Sequence, residues 1–266
     1  MKRLSVVIPT KNEEVNVGAC LDAFAAFRAE VELIVVDNSS PDRTREIAAA
    51  KGARVFVQGP ERCAQRNRGW REASGEYVMF VDADMILPAE TIREMFECLN
   101  VGMFECYWIP EVRTGSGIRV KARNFERSFY DGTCIDGFRV VRRDCLEKVG
   151  GYDENLVACE DWDLDRRLLA TGVRTAIAKG HLVHNESRQN FASLLRKKAY
   201  YSASVAAYRS KWGEDEICCK QFGLYYRFLG VFIENGKWKK LIRHPILAFV
   251  MYFERFAVGL TYLLNR

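Results

Sequence analysis

Four short apolar runs separated by helix-length segments constrain this chain more than any other feature. The runs are Leu4–Ile8 (LSVVI), Leu33–Val36 (LIVV), Val55–Val57 and Tyr77–Val81 (YVMFV). They are rich in β-branched and aromatic residues and too short for helices, so they read as strands covered on both faces. Between the first two lies Val15–Phe27, with apolar residues at helical spacing: Val15, Leu21, Phe24 and Phe27. Ser40-Pro41-Asp42 opens the next segment as a cap and first turn, and the helix runs to about Lys51 before Gly52. Arg62–Ala73 supplies a third helix. Strands alternating with helices of this length predict an α/β fold with a mostly parallel, doubly wound sheet flanked by helices.

In such sheets ligands bind at the carboxyl ends of the strands. Three strand ends here deliver polar side chains to that edge. The first offers Pro9, Thr10, Asn12 and Glu13, the second Asp37, and the fourth, in FVDADM, both Asp82 and Asp84. Two carboxylates one residue apart repel unless a cation or a donor sits between them. The first junction, IPTKNEE, lacks G-x-G-x-x-G, which argues against a dinucleotide-dependent hydride transfer. A nucleotide-type site is expected at this edge.

The middle, Val101–Val141, reads as strands with loops: an apolar Met103–Ile109, a Gly-rich turn at Thr114–Lys121, and turn signals at Asp131-Gly132 and Asp136-Gly137. A helix is expected from Glu160, with Trp162, Leu164, Leu168 and Leu169 on its spacing and Gly172 beyond its end. Glu160 and Asp161 fall in its first turn, where acids also complement the helix dipole. His181 and His184, two of the three histidines, follow a strand-like Thr175–Ala178. From about Asn190 the character changes. Between Arg188 and Arg243 there are 12 Lys and Arg against 4 Asp and Glu, interleaved with aromatics such as Tyr200, Tyr201, Tyr208, Trp212 and Trp238. The apolar stretches Phe222–Ile233 and Pro245–Leu264 accompany them, the second broken by Glu254-Arg255 and at best a marginal membrane span. Basic residues beside apolar helices predict contact with a membrane interface, or else a cap on the core or an oligomer contact. Nucleic-acid binding is not expected, because apolar helices go with the charge. The nine cysteines form no CxxC pair, the chain enters a strand at once without a cleavable signal, and the net charge is a mild +5. These features predict reduced thiols and a cytoplasmic location, peripheral on the inner face of the membrane.

Five stretches, in order, resemble the inverting nucleotide-sugar glycosyltransferases of family 2. They are SVVIPTKNEE, ELIVVDNSSPDRT, RNRGWREASGEY, FVDADM and GGYDENLVACEDWDLDRRL, and together they cover roughly Leu4 to His184. The resemblance implies a GT-A fold over residues 1–188, with a nucleotide half to about residue 100 and an acceptor half after it. Residues 189–266 form a helical extension. It implies a UDP-, GDP- or TDP-sugar donor held with Mg²⁺ or Mn²⁺, and an acceptor that is a glycan or is lipid-linked. Asp82 and Asp84 match the family's D-x-D. Asp84 binds the metal, and Asp82 lies near the ribose or reaches the metal through water. His184, or else His181, is a further metal ligand. Pro9, Thr10 and Glu13 surround the nucleoside, Asp37 accepts from a base N–H, and Arg62 or Arg66 contacts base or phosphate. Asp161 matches the catalytic base, oriented by Glu160. The processive Q-x-x-R-W signature is absent, so a single addition to a hydroxyl is expected, with transfer to a polyprenyl phosphate as the alternative.

Overall fold

The carboxyl edge of the sheet is built by strand pairs in exact register. In a computed structural model describing residues 2–185 and 205–264, β1 (Leu4–Thr10) pairs in parallel with β2 (Val31–Asp37), so that Thr10 lies beside Asp37. On its other side β1 pairs in parallel with β4 (Tyr77–Phe80), with Val7 opposite Phe80. Asp82 therefore emerges just past the same edge. β3 (Arg54–Val57) extends the parallel set beyond β2.

The second half joins the same sheet. β6 (Cys106–Trp108), β8 (Val140–Arg142) and β9 (Thr175–Ile177) complete seven strands in the order β3-β2-β1-β4-β8-β6-β9, with β8 antiparallel to both neighbours. Strands from before and after residue 100 thus share one continuous sheet. A second sheet joins β5 (Met85–Ile86), β10 (Leu182–His184) and β7 (Glu111–Arg113) in the order β5-β10-β7.

Strand alternation assigns each apolar residue to a layer. Val6, Ile8, Leu33, Val35 and Met79 pack with α1 (Val17–Asp22) and α4 (Ala89–Val101). Val7, Ile34, Val36, Val78 and Phe80 pack with α3 (Arg62–Glu72), α6 (Arg143–Val149) and α7 (Glu160–Ala170). Gly69 lets α3 sit close to β1, since a Cβ there would stand 2.2 Å from Val7 Cγ1. Gly69→Ala should overpack this contact and cost about 1–3 kcal/mol, read as a lower denaturant midpoint. An unchanged midpoint would show that α3 is free to shift.

Several expected elements come out differently. Val15–Phe27 divides into α1 and a single 3₁₀ turn at Ala25–Phe27. The helix expected from Ser40 begins instead as α2 (Thr44–Ala50). Asp42 caps it, accepting from the Thr44 backbone N–H (3.1 Å), while Ser40 turns back to Asp37. The Gly-rich turn is followed by a helix, α5 (Ile118–Arg127), where strands and loops were expected. Beyond the gap, residues 205–212 are helical, followed by α8 (Glu216–Phe222), α9 (Trp238–Arg243) and α10 (Pro245–Leu264). The boundary expected at residue 188, and Tyr200 and Tyr201, lie outside the described residues. Among the described residues no helix is long and apolar enough to cross a membrane.

Candidate active site

α3 carries the residue that organises the edge. Its Gln65 Nε2 donates to the carbonyls of Thr10 (2.9 Å) and Val36 (2.7 Å), tying the ends of β1 and β2 together. One residue on, Arg66 is only 1% exposed, yet it reaches three carboxylates. Its Nη1 donates to Asp161 Oδ1 (2.8 Å) and lies 3.5 Å from Glu160 Oε1, and its Nη2 donates to Asp82 Oδ1 (3.2 Å). The Tyr152 ring lies against the guanidinium, 5.2 Å from its centre. A buried cation is stable only with such partners. Burial alone would raise the Asp82 carboxyl. Arg66, Arg139 and Arg62 outweigh it and hold the group well below the usual carboxylate range.

Asp84 faces the second sheet. Pairing of β10 with β5 sets His184 opposite Met85, and His184 Nε2 lies 3.1 Å from Asp84 Oδ2. The Asn185 backbone N–H also donates to the Asp84 carbonyl (2.9 Å). Glu13 borders this pair. Burial, with Asp84 and Asp82 nearby, pushes its carboxyl above the ordinary range despite a hydrogen bond from Asn16 (2.8 Å). Asp84 and His184 offer one carboxylate oxygen and one imidazole nitrogen, which suits Mn²⁺ better than the all-oxygen preference of Mg²⁺. Among the described residues no three His, Cys, Asp or Glu side chains gather as a metal cage. Any ion here would therefore need oxygen ligands from a diphosphate or water.

Glu160 and Asp161 begin α7 after Cys159, whose left-handed backbone (φ 61°) turns the chain into the helix. Glu160 is buried beside Arg62 (3.4 Å) and Arg66, and burial followed by the Asp161 charge raises its carboxyl. Asp161 is 36% exposed and lines a cavity of about 160 Å³ with Arg127, Asp136, Arg139 and Trp162. Gly137 forms the facing wall, where a Cβ would stand 3.0 Å from Asp161 Cβ. Trp162 serves the wall and the core together, with its ring edge-on to Tyr208 and Phe222.

The structure gathers Glu13, Asp82, Asp84, Glu160, Asp161 and His184 around Arg66 and the small sheet. Two of the expected nucleotide contacts are engaged within the protein as placed. Asp37 was expected to accept from a base N–H, but its side chain is fully buried. It already accepts from Thr10 Oγ1 (2.8 Å), Ser40 Oγ (2.6 Å) and the Ser40 backbone N–H (2.7 Å), so as placed it braces the two strand ends. Of Arg62 and Arg66, one of which was expected at base or phosphate, Arg66 lies beneath the carboxylates and Arg62 is partly exposed at the start of α3. Pro9 is buried within β1, and His181 meets Thr91 through its backbone. Sequence reasoning missed Arg139, which pairs with Glu111 and contributes to the field on Asp82. Its one signal is a charge placed immediately before the apolar β8.

Comparison with known proteins follows the same line. The chain is 33% identical over 156 residues to a dolichol-phosphate mannosyltransferase of Pyrococcus furiosus, covering 55% of this chain and 42% of that protein. It is 30% identical over 260 residues to the poly(ribitol-phosphate) β-N-acetylglucosaminyltransferase TarS of Staphylococcus aureus, covering 93% of this chain and 43% of TarS. The chain thus spans less than half the length of these two relatives. Its fold matches the Pyrobaculum calidifontis mannosyltransferase PcManGT, solved with GDP-Man and Mn²⁺, at a TM-score of 0.62 and 18% identity, over 98% of this chain and 80% of that one. The sheet is accordingly of the GT-A type. The model of the glycosyl transferase family 2 matches residues 5–150, from the first strand through α6, and the chain belongs to that family.

Proposed function

We propose that the chain is an inverting, metal-assisted glycosyltransferase that moves one sugar from a nucleoside-diphosphate sugar to a hydroxyl of a glycan or lipid-linked acceptor. The observation that carries this reading is Arg66. A single buried guanidinium joins Asp82, beside the Asp84–His184 pair, to Asp161 on the wall of a separate cavity. Donor-side and acceptor-side carboxylates are thereby held at a fixed separation.

The roles follow from the chemistry of each group. Glu13 and Arg62 line the nucleoside side at the strand end that carries Pro9 and Thr10, with Asp37 bracing it from below. Asp84 and His184 would hold the cation, which would supply positive charge against the diphosphate. Asp82 keeps its charge through Arg66 and is available to a ribose hydroxyl or a bound water. The acceptor hydroxyl enters the cavity beside Asp161. Its oxygen bonds to the anomeric carbon while the carbon–phosphate oxygen bond breaks, and the electron pair leaves with the diphosphate. The contact of Asp161 with Arg66 uses Oδ1, which leaves Oδ2 to take the hydroxyl proton. Glu160, buried against Arg62 and Arg66, orients this helix start.

The test is release of nucleoside diphosphate from UDP-, GDP- and TDP-sugars with Mn²⁺, Mg²⁺ or chelator, with the anomeric configuration of any product read by NMR. One donor should be turned over, Mn²⁺ should support it, chelator should stop it, and the anomeric centre should invert. Unchanged turnover in chelator would remove the metal. Transfer to a polyprenyl phosphate is the second reading, favoured by the Pyrococcus relative and by Arg127 and Arg139 on the cavity wall. Adding that acceptor to the same assay decides between them.

A further inference from the structure

Among the described residues the C-terminal helices leave one face exposed. On α10, Ile246, Phe249, Phe253 and Phe256 follow one another at spacings of three, four and three, and each is between 64% and 72% exposed. α9 adds Trp238 and Ile242, one turn apart and also exposed. The opposite face of α10 is committed to the protein. Met251 is buried in a cluster with Phe129 and Phe232, the Tyr252 ring packs 5.5 Å from that of Phe232, and Arg255 is paired with Glu126. The outward stripe is therefore neither core nor ordinary scatter of surface apolar groups.

Charge says what covers it. Lys239 and Arg243 are exposed on α9, and Arg119, Lys121 and Arg123 are exposed on α5, which packs against α10. The sole acid of α10 in the sequence, Glu254, accepts from Arg119 (2.6 Å) and lies 3.8 Å from Arg123. A second copy meeting this face through a two-fold axis would bring these cations against their own equivalents. An anionic lipid surface instead takes the aromatic side chains into its interfacial layer and the cations onto its phosphates.

We infer that α9 and α10 form a docking surface for an anionic membrane, with Trp238, Ile242, Ile246, Phe249, Phe253 and Phe256 inserted and Lys239, Arg243 and the α5 cations at the headgroups. The same helices pack behind the Asp161 cavity, because Phe129, Ile135 and Trp162 belong to the cluster they bury. Docking thus holds that cavity close to the lipid. This last consequence rests on the cavity receiving the acceptor, which the transfer assay reads separately.

Sedimentation with phosphatidylcholine vesicles, with and without phosphatidylglycerol, tests the inference. The protein should sediment with the anionic vesicles and be partly released as salt is raised. The double variant Phe249→Ser, Phe253→Ser should bind on the order of tenfold more weakly or worse. Lys239→Gln with Arg243→Gln should lose about fivefold per charge at low salt on anionic vesicles only. Sugar-nucleotide hydrolysis without vesicles should be unchanged in both variants, which shows that they are folded. Were the serine variant to misfold, the charge variant carries the test. Failure to sediment with anionic vesicles would overturn the inference. So would a dimer in analytical ultracentrifugation that the serine variant dissolves, which would assign the face to a second copy.

Discussion

Asp161→Asn should slow sugar transfer by about 10²–10⁴-fold, the usual worth of a placed general base. The amide keeps the size of the side chain and can still accept from Arg66 Nη1 through its oxygen, but it cannot take up the hydroxyl proton. Glu160 and Asp82 remain to pair the buried guanidinium, so the fold should survive. The loss should appear chiefly in kcat, with donor affinity by calorimetry changing far less, because Asp161 reaches the donor-side Asp82 only through Arg66. Near wild-type transfer would place the base elsewhere and favour an acceptor that arrives already ionised, as a polyprenyl phosphate does.

Asp84→Ala should lose both transfer and metal-dependent donor binding. Among the described residues Asp84 pairs with His184 at the proposed cation site, and its removal leaves the imidazole without that carboxylate. His184→Ala should be milder, with Mn²⁺ affinity falling while the carboxylate still holds part of the site. Titration of Mn²⁺ into each variant, with and without nucleoside diphosphate, checks the order. Equal metal affinity in Asp84→Ala and wild type would dismiss Asp84 as a ligand. Comparison with Asp161→Asn is informative, since one variant should lose chemistry alone and the other should lose the donor as well.

The first hundred residues were legible because their signals are local. Buried parallel strands announce themselves as short apolar runs, and the polar residues after them fall at one edge by geometry. α5 was hidden for the opposite reason. Gly115 and Gly117 stand just before it and read as a turn, and its apolar face is only Ile118, Ala122 and Phe125, too short a stripe to outweigh them. The position of Asp37 could be read from its strand, but not its saturation by Ser40, which depends on where the next helix starts. The resemblance singled out Arg66 or Arg62 for the nucleotide, but the burial of Arg66 against Tyr152 depends on packing that the helix sequence does not show. The closeness of His184 to Asp84 spans a hundred residues of sequence and needs the small sheet to bring it about.

Arg66 also limits how this site can diverge. A cation shared by Asp82, Glu160 and Asp161 makes each carboxylate part of the environment of the others. Neutralising any one shifts the charge balance felt by the remaining two, and losing the guanidinium itself leaves like charges crowded in a buried space. Changes at these positions are therefore expected to be epistatic rather than independent. A lineage that gave up the base at Asp161 would be pressed to alter Arg66 as well, so relatives with different acceptor chemistry should differ at both positions together.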